Sequence, residues 1–406
     1  MIQTMLHTPS PKVSWRSSLL WGLGATLALR VGLGAIMSVS WLTARPHLPL
    51  DSPAYRAAFG DLPVPSTVAG ELLLGVWTRW DAVHHLNLAM KGYFQVPPGD
   101  SVFYPLYAML TRLVATCTGA GYVLSGLVVS SLATMCAMAC LYRLADTAFG
   151  SQAARWSVVA LCVFPTAVFL VAPFTESLFL ALTMGAFIAA YDGKWLVVGI
   201  LGLLASLTRG PGLLTAVPLA VIGIQQWSVM ERDRSASHAA LVAVALGLTI
   251  AGGLGFLAWR SAFGFLPVTE SLRTYSGLEL VDPITGLASV VAQWVRAPQF
   301  NNTFDLASGL TFLGMCALVA AHPRWRRWDW LSYMVVNMLF LLSKRSFEAS
   351  SLQSMSRYVL AFFPAFIVVG DWLAGQGSRV RLVYVAASCA ALLTMSALYS
   401  LWVFIG

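Results

Sequence analysis

Charged side chains are scarce in this sequence. They make up 10% of its 406 residues, whereas hydrophobic residues make up 58%, and the mean hydropathy is +0.74. Soluble globular domains carry roughly 25% charged residues, because their surfaces face water. A chain of this composition cannot cover itself with polar groups. The composition therefore excludes a soluble enzyme and indicates a membrane protein.

Paired cysteines are missing as well. The six cysteines lie in or beside apolar segments, without the close spacing of a zinc site or the loop positions of a disulfide framework. We expect them to serve in packing. The sequence also has no low-complexity linker and no internal repeat, and the lack of repeated halves weakens the case for a transporter, because many transporter folds contain them.

Long apolar runs, by contrast, account for most of the chain. A helix needs about 20 apolar residues to cross a bilayer, and shorter helices are tolerated inside a bundle. The sequence therefore predicts an all-α, polytopic membrane protein with a single membrane domain over residues 1–406. The eleven candidate spans lie near residues 18–42, 122–142, 156–172, 176–191, 195–208, 211–227, 239–260, 305–321, 329–343, 358–374 and 382–404.

Basic residues form clusters in the short loops between these runs. The formal net charge is +8, but the clusters fall between apolar segments, so we expect no nucleic-acid partner. Short basic loops mark the cytoplasmic side of a membrane. With a cytoplasmic N-terminus, the predicted loops on that side carry Arg143, Arg155, Lys194, Arg232, Arg234, Arg324, Arg326, Arg327, Arg379 and Arg381. This orientation leaves residues 43–121 and 261–304 as long external loops.

The segment 102–117 is ambiguous. It is apolar enough to be a short span, but it contains Pro105, Arg112 and several aromatic residues. Counting it as a span would move every later arginine cluster to the outside. We therefore interpret it as an interfacial or re-entrant helix within the first external loop.

The first external loop holds the densest group of reactive side chains, in the motif RWDAVHHLNLAMKGYF at residues 79–94. On a helix, Asp81, His84 and His85 face one side, which indicates an acid–base cluster at the membrane surface. Two alternatives stay open: Asp81 pairs with Arg79 or a histidine while the aromatic residues anchor the interface, or the three side chains bind a metal. Adjacent histidines point in different directions and the motif has no fourth ligand, so we expect no metal site.

Further ionisable residues stand at the predicted external ends of later spans. They are Glu176, Arg209 and Arg357, the last of which precedes Tyr358. Charged groups at such depths are costly and are usually paired or functional. Arg209 is followed by Gly-Pro-Gly, which permits close backbone approach and a helix start, as an anion site requires. Arg30, near the middle of the first span, also needs a partner, which the sequence does not name.

Taken in order, these motifs resemble those of the PIG-V-type mannosyltransferases, the GPI mannosyltransferase 2 family and its bacterial relatives in the GT-C superfamily. The resemblance covers most of the chain. The family's Arg-Trp-Asp with a following His, its Gly-Tyr and its Phe-Phe-Pro-Leu-Tyr-Pro stand here as RWDAVHH, GYF and FYPLY. Its Ser/Thr-Glu-Ser-Leu-Phe, Thr-Arg-Ser-Asn-Gly and Pro-Arg-Tyr stand as TESLF, TRGPG and SRY. The departures at Ala108, Gly210, Pro211 and Ser356 concern the acceptor and the local backbone more than the reaction class.

The resemblance implies a GT-C-type bundle that transfers mannose from a dolichyl- or polyprenyl-phosphate donor to a hydroxyl of a lipid, glycan or protein. It also implies inversion at the anomeric carbon and a site on the non-cytoplasmic face. Such a transfer needs a base for the acceptor proton and groups that stabilise the leaving phosphate. We predict Asp81 as the catalytic base and Arg209 and Arg357 as phosphate ligands. Phosphate is a good leaving group, so we expect neither a metal nor a cofactor. The other predicted substrate-binding residues are Arg79, Trp80, His84, His85, Tyr93, Tyr104, Glu176 and Tyr358.

Two other classes of protein share the predicted topology. A transporter or lipid flippase would carry ionisable residues near the midplane of several helices, whereas here, apart from Arg30, they gather at helix ends on one face. A non-catalytic scaffold would have no convergent acid–base cluster. The few lysines beside many arginines and alanines suggest a GC-rich bacterial gene, so we expect the bacterial plasma membrane and a cell-envelope acceptor.

Overall fold

The structure, a computed structural model, describes residues 14–44, 50, 52–229, 232–296, 298–347 and 354–405. Within these residues the chain is helical apart from one sheet of two short strands, so the expected all-α architecture is confirmed. The helices of the first half are α1 Trp15–Ala44, α2 Pro53–Ala58, α3 Val68–Leu73, α4 Asp81–Lys91, α5 Pro105–Thr118, α6 Tyr122–Phe149, α7 Ser151–Cys162, α8 Val168–Val171, α9 Glu176–Tyr191 and α10 Trp195–Ser206.

The second half continues in the same manner. Its helices are α11 Ala216–Trp227, α12 Arg232–Ala262, α13 Val268–Ser276, α14 Pro283–Arg296, α15 Phe300–Ala321, α16 Trp328–Leu342, α17 Met355–Tyr358, α18 Phe363–Ala374 and α19 Ser378–Ser400. The strands are β1 Leu278–Leu280 and β2 Lys344–Ser346, and the 3-10 helices are Gly75–Trp77, Pro98–Val102, Gly210–Thr215 and Val359–Ala361.

Five helices in the described residues are long and apolar enough to cross a membrane. They are α1, α6, Ala236–Ala262 of α12, Asn302–Ala321 of α15, and α19. A sixth is obtained if Met355–Ala361 and Phe363–Ala374, bent by 77° at their junction, count as one broken span. The other predicted spans fall on shorter helices such as α9, α10 and α16, so the number eleven stays a prediction.

Proline explains two of the breaks that shorten these helices. Pro165 lies between α7 and α8, and Pro173 lies between α8 and α9. Proline cannot donate a backbone hydrogen bond and ends a helix. Irregular backbone at membrane depth must find partners inside the protein. Here the Thr134 hydroxyl donates to the Leu170 carbonyl at 2.5 Å, and the Arg30 guanidinium donates to the next carbonyl along the chain.

The partner of Arg30 is therefore resolved. Its Nη2 donates to the carbonyl oxygens of Val171 and Leu127 at 2.6 and 3.1 Å and to the Ser131 hydroxyl at 2.6 Å. Its guanidinium carbon also lies 4.5 Å from the centroid of the Trp77 ring. Arg30, in the middle of α1, thus links that helix to α6, to the break before α9 and to the first long loop.

Arg79 anchors the first long loop to the last helix. Its side chain is 0% exposed and forms an ion pair with the equally buried Glu71 of α3. It also donates to the carbonyl oxygens of Gly75, at 2.5 Å, and of Ser400, at 3.0 Å. Arg79 therefore pairs with Glu71 and not with Asp81, and its donors are taken up by the protein. Contact of Arg79 with substrate stays a prediction, and the bonds indicate a structural role.

The two strands bring the second long loop onto the same end of the bundle. β1 and β2 pair antiparallel, with Glu279 opposite Arg345 and Leu280 opposite Lys344. The Arg345 guanidinium also donates to the Glu279 carboxylate at 2.5 Å. This pairing fixes the position of Lys344, shortly after the end of α16 and beside the ring of Tyr358.

The orientation of the first long loop predicts a labelling pattern. Ser66 in the loop and Gln152 at the start of α7 are both exposed. In a chain whose six cysteines are replaced by serine, a Ser66→Cys variant should react with an impermeant thiol reagent in intact cells. The matched Gln152→Cys variant should react only after lysis. The reverse pattern would contradict the orientation and place the site on the cytoplasmic face.

The role of Arg79 predicts a loss of stability on substitution. Arg79→Met leaves Glu71 as an unpaired buried charge, which costs about 3–5 kcal/mol of the free energy of unfolding. Thermal unfolding in detergent should therefore shift to lower temperature. The double variant Arg79→Met, Glu71→Met should recover part of the loss, because no unpaired charge remains, and Arg56→Met on the exposed face of α2 serves as the control. An unchanged unfolding temperature in Arg79→Met would contradict the structural role.

Candidate active site

Four charged side chains from distant parts of the sequence form one connected cluster. Arg357 Nη1 donates to Asp81 Oδ2 at 2.7 Å. Arg209 Nη1 donates to Glu176 Oε1 at 2.5 Å, and Arg357 Nε lies 3.4 Å from the same oxygen. The Arg357 and Glu176 side chains are buried, whereas 29% of the Asp81 side chain is exposed. The arginine side chains are thus largely shielded from solvent, whereas Asp81 is partly accessible.

Each member of the cluster stands at the end of a helix or at a break. Asp81 is the first residue of α4, and Glu176 is the first residue of α9, where a carboxylate interacts favourably with the helix dipole. Arg209 directly precedes the 3-10 helix Gly210–Thr215. Arg357 lies in the short α17, just before the bend at residue 362. The breaks in the helices therefore bring the ionisable residues to one place.

Tyr358 and Lys344 extend the cluster. The Tyr358 ring centroid lies 4.9 Å from the Arg209 guanidinium carbon, 5.0 Å from that of Arg357 and 4.7 Å from Lys344 Nζ. Arg357 Nη2 also donates to the Tyr358 hydroxyl at 3.3 Å. Three cations therefore surround one aromatic ring. No local pattern in the sequence indicates Lys344, because only its strand pairing places it here.

The environment of Asp81 keeps its carboxylate ionised. Burial opposes ionisation, but the positive charge of Arg357, the two neighbouring histidines and the hydrogen bond from Arg357 outweigh it and lower the pKa of Asp81. The ionised form is therefore retained at neutral pH. A base must be deprotonated before the reaction, so Asp81 is in the required state and has part of its side chain accessible.

His84 is held by a second carboxylate, that of Asp100, which the helical spacing of the motif did not indicate. Its Nδ1 lies 2.9 Å from Asp100 Oδ1, and its ring stacks on Phe103 with centroids 5.6 Å apart. Burial lowers the pKa of His84, but the hydrogen bond and charge of Asp100, with the charge of Asp81, outweigh it and raise the pKa above 6.5. Its side chain is 46% exposed, so His84 is accessible from outside the cluster.

His85 has the opposite character. It is buried among aromatic rings, with its centroid 4.7 Å from that of Phe103 and 5.5 Å from that of Tyr107. Burial lowers the pKa of His85 to about 3, so its ring is neutral at neutral pH. Its Nδ1 has no hydrogen-bond partner among the described residues. The two histidines predicted to act together therefore do different things: His84 is polar and accessible, and His85 packs behind Asp81.

The remaining predicted residues lie around the cluster at different distances. Trp80 precedes Asp81 and has a positive φ of 54°, a conformation that side-chain-bearing residues rarely adopt. The Tyr104 hydroxyl lies beside Gly210, the residue after Arg209. A Cβ atom built on Gly210 would be 3.4 Å from that hydroxyl. Tyr93 donates to the Phe103 carbonyl at 2.6 Å and packs in an aromatic cluster away from Asp81.

The chemistry that this arrangement supports is proton acceptance beside an anion site. Asp81 supplies an ionised carboxylate, and Arg209, Arg357 and Lys344 supply positive charge in a largely buried place. Guanidinium groups suit phosphate oxygens because their donors form a planar fork. Among the described residues, no three His, Cys, Asp or Glu side chains lie close enough together to hold a metal ion.

Comparison with known proteins places the chain in a family. The family model described as Mannosyltransferase (PIG-V) matches residues 55–258, half of the chain. The matched region contains Asp81, Glu176 and Arg209, whereas Arg357 lies beyond it. No curated protein matches the chain significantly.

Solved structures show the fold. The chain resembles ArnT from Cupriavidus metallidurans bound to undecaprenyl phosphate, with a TM-score of 0.51 and 13% identity over 93% of this chain and 76% of that chain. ArnT from the same organism in the apo state gives a TM-score of 0.47 and 14% identity over 80% and 71% of the two chains. At this identity the first likeness concerns the fold alone, and it confirms the expected GT-C-type bundle. The chain belongs to the PIG-V mannosyltransferase family and is an integral membrane glycosyltransferase.

Proposed function

We propose that this protein transfers mannose from a polyprenyl- or dolichyl-phosphate-linked donor to an acceptor hydroxyl, with inversion at the anomeric carbon. The observation that carries the proposal is the ion pair of Asp81 with Arg357, joined through Glu176 to Arg209. It sets an ionised base directly beside a group of cations, as a transfer from a sugar phosphate requires. Membership of a mannosyltransferase family supports mannose as the transferred sugar. Inversion is what the resemblance of the sequence motifs implies.

The cations around Tyr358 are the proposed phosphate site. A phosphate that has lost its sugar carries up to two negative charges, and Arg209, Arg357 and Lys344 converge where those charges would be neutralised. Glu176 is shared by the two arginines and holds them in position. A lipid phosphate in the related fold supports this proposal, since ArnT was solved bound to undecaprenyl phosphate. We expect no metal requirement, because the arginines supply the charge that a divalent ion would supply.

In the proposed reaction, Asp81 accepts the proton of the acceptor hydroxyl while the hydroxyl oxygen forms a bond to the anomeric carbon. The bond from that carbon to the phosphate oxygen breaks on the opposite face, and its electron pair leaves with the phosphate. Arg209 and Arg357 stabilise the charge that develops there. Arg357 thus has two roles, because it also keeps Asp81 ionised in the resting enzyme.

An aromatic row leads from this site to the surface and suits the lipid tail of the donor. Tyr104 packs on Phe256 with ring centroids 4.7 Å apart, and Phe256 stacks on Trp259 at 6.1 Å. At its outer end are Phe94 and Phe263, whose exposed fractions are 68% and 58%. Exposed aromatic residues of this kind mark a contact with lipid or a ligand. Tyr93, which packs in this row, would contact the tail rather than the sugar.

The site is proposed to face the outside of a bacterial plasma membrane. The basic residues of the short loops favour an orientation with those loops in the cytoplasm. Asp81 and Lys344 belong to the opposite set of loops in that arrangement. The acceptor would then be a lipid, glycan or protein of the cell envelope.

The role of Asp81 predicts the effect of Asp81→Asn. An amide cannot accept the proton, so transfer from polyprenyl-phosphate mannose to a membrane extract should fall by roughly 10² to 10⁴. Asparagine can still accept the hydrogen bond from Arg357, and Glu176 still faces the charge of Arg357, so the protein should fold with a lower unfolding temperature than the wild type. The matched control is Asp192→Asn, an exposed aspartate that pairs with Lys194 away from the cluster, and it should keep full transfer.

Two results would contradict this assignment. A folded Asp81→Asn protein with undiminished transfer would remove Asp81 from the role of base. Inhibition of the wild type by a chelator, reversed by a divalent ion, would show that the reaction depends on a metal. Loss of transfer in both Asp81→Asn and Asp192→Asn would point to a general sensitivity of the assay rather than to the site.

A further inference from the structure

The helix α4 presents different chemistry on its two sides. One side carries Asp81 and, four residues on, His85, and it turns toward Arg357 and the aromatic rings behind it. Val83, His84 and Asn87 line a cavity on the second side. His84 is also three residues from Asp81, so it stands at the border between the two sides. Trp80, just before the helix, joins this second side.

The second side of α4 borders a cavity of about 620 Å³. This volume lies within the range of about 300–1,000 Å³ that is usual for small-molecule sites. The cavity also meets α2, the turn before Asp100 and the end of the chain. The side chains that matter for its chemistry are Tyr55, Trp80, His84, Asn87, Asp100 and Trp402.

Several residues that line the cavity carry buried polar atoms without partners. Trp80 Nε1, Trp402 Nε1 and Asn87 Oδ1 are buried and make no hydrogen bond with any described residue. Buried polar groups are nearly always hydrogen-bonded, so orphaned ones point to a bound water or ligand. Two unpaired donors and one unpaired acceptor on side chains that line one cavity suit a ligand that carries several hydroxyl groups, because a hydroxyl can both donate and accept.

The charge of the wall argues against an anionic ligand. Among the described residues, the lining contains no lysine or arginine. Its two carboxylates are already paired: Asp61 lies 2.6 Å from Lys91 Nζ, and Asp100 lies 2.9 Å from His84 Nδ1. The described lining therefore offers a phosphate no lysine or arginine of its own. The cavity therefore differs from the arginine cluster and suits a neutral ligand with apolar faces that pack on the tryptophan rings.

We propose that this cavity is the acceptor site and that it binds a neutral polyhydroxyl group, such as a sugar ring. The proposal rests on the proposed function, because it assigns the second substrate of the same reaction. His84 borders the cavity and lies three residues after Asp81, so a hydroxyl that approaches along this edge reaches the base. Donor phosphate and acceptor would thus approach Asp81 from different directions.

The strained backbone at Trp80 is consistent with this assignment. Trp80, with its positive φ, is the last residue before α4. It lines the cavity and directly precedes Asp81. Conformations of this kind are costly for a residue with a side chain and cluster at functional sites. Contact of the Trp80 ring with Trp402 and Phe404, with centroids 6.0 and 5.2 Å apart, holds it in place.

A cavity-filling variant tests the proposal. Ala57 lies in the cavity wall and is exposed, so Ala57→Trp fills the space without removing a polar group. Ala69→Trp, at an exposed alanine of α3 outside the cavity, is the matched control. Binding of methyl α-D-mannoside to protein in nanodiscs would be followed by saturation-transfer NMR, with polyprenyl phosphate present to occupy the donor side. Ala57→Trp should reduce the ring-proton signal at least fivefold, and Ala69→Trp should leave it unchanged.

A kinetic measurement separates the two substrates. With octyl α-D-mannoside as acceptor, Ala57→Trp should raise the acceptor KM at least tenfold and leave the donor KM within a factor of two. Unchanged mannoside binding in Ala57→Trp would overturn the proposal, as would transfer to N-acetylthreonine amide but not to the mannoside. If Ala57→Trp abolishes binding but the wild type turns over no polyprenyl-phosphate mannose, the proposed function fails and the acceptor role fails with it, while the cavity remains a polyol site.

Discussion

The ion pair between Asp81 and Arg357 is the contact on which the rest of the site depends. It joins the first long loop to the bent segment near the end of the chain, 276 residues later. A buried arginine is expensive unless its charge is matched, so Asp81 and Glu176 fix where Arg357 can lie. In return, Arg357 keeps Asp81 ionised. The same contact therefore serves the fold and keeps the proposed base in its ionised form.

Helix breaks are the constraint that makes this contact possible. A continuous helix would spread its charged residues along the membrane normal, whereas breaks at Pro165 and Pro173 let α9 begin with Glu176 beside the arginines. The backbone groups that the breaks release are taken up by buried side chains, among them Thr134 and Arg30. Buried polar side chains thus stabilise the helix breaks, and these breaks bring the ionisable residues together at one end of the helix bundle.

Local sequence signals predicted part of this arrangement. Apolar runs revealed the helical membrane fold, and the spacing in RWDAVHH drew attention to Asp81, because both depend on neighbours in the chain. The partners of these residues could not be predicted in the same way. Arg79 bonds to Glu71 and Ser400 rather than to Asp81, and His84 pairs with Asp100, because tertiary contacts and not helical spacing decide which charges meet. Lys344 enters the site only through the pairing of β1 with β2.

The central claim is that the donor phosphate binds at the arginines on one side of α4 and leaves the cavity on the other side free. The most direct test is a cryo-EM structure of the Asp81→Asn protein in lipid nanodiscs with polyprenyl-phosphate mannose. Phosphate density should lie about 2.7–2.9 Å from guanidinium nitrogens of Arg209 and Arg357, with Lys344 adjacent. Phosphate density in the cavity beside Trp80 and Asn87, or out of reach of both arginines, would contradict the account.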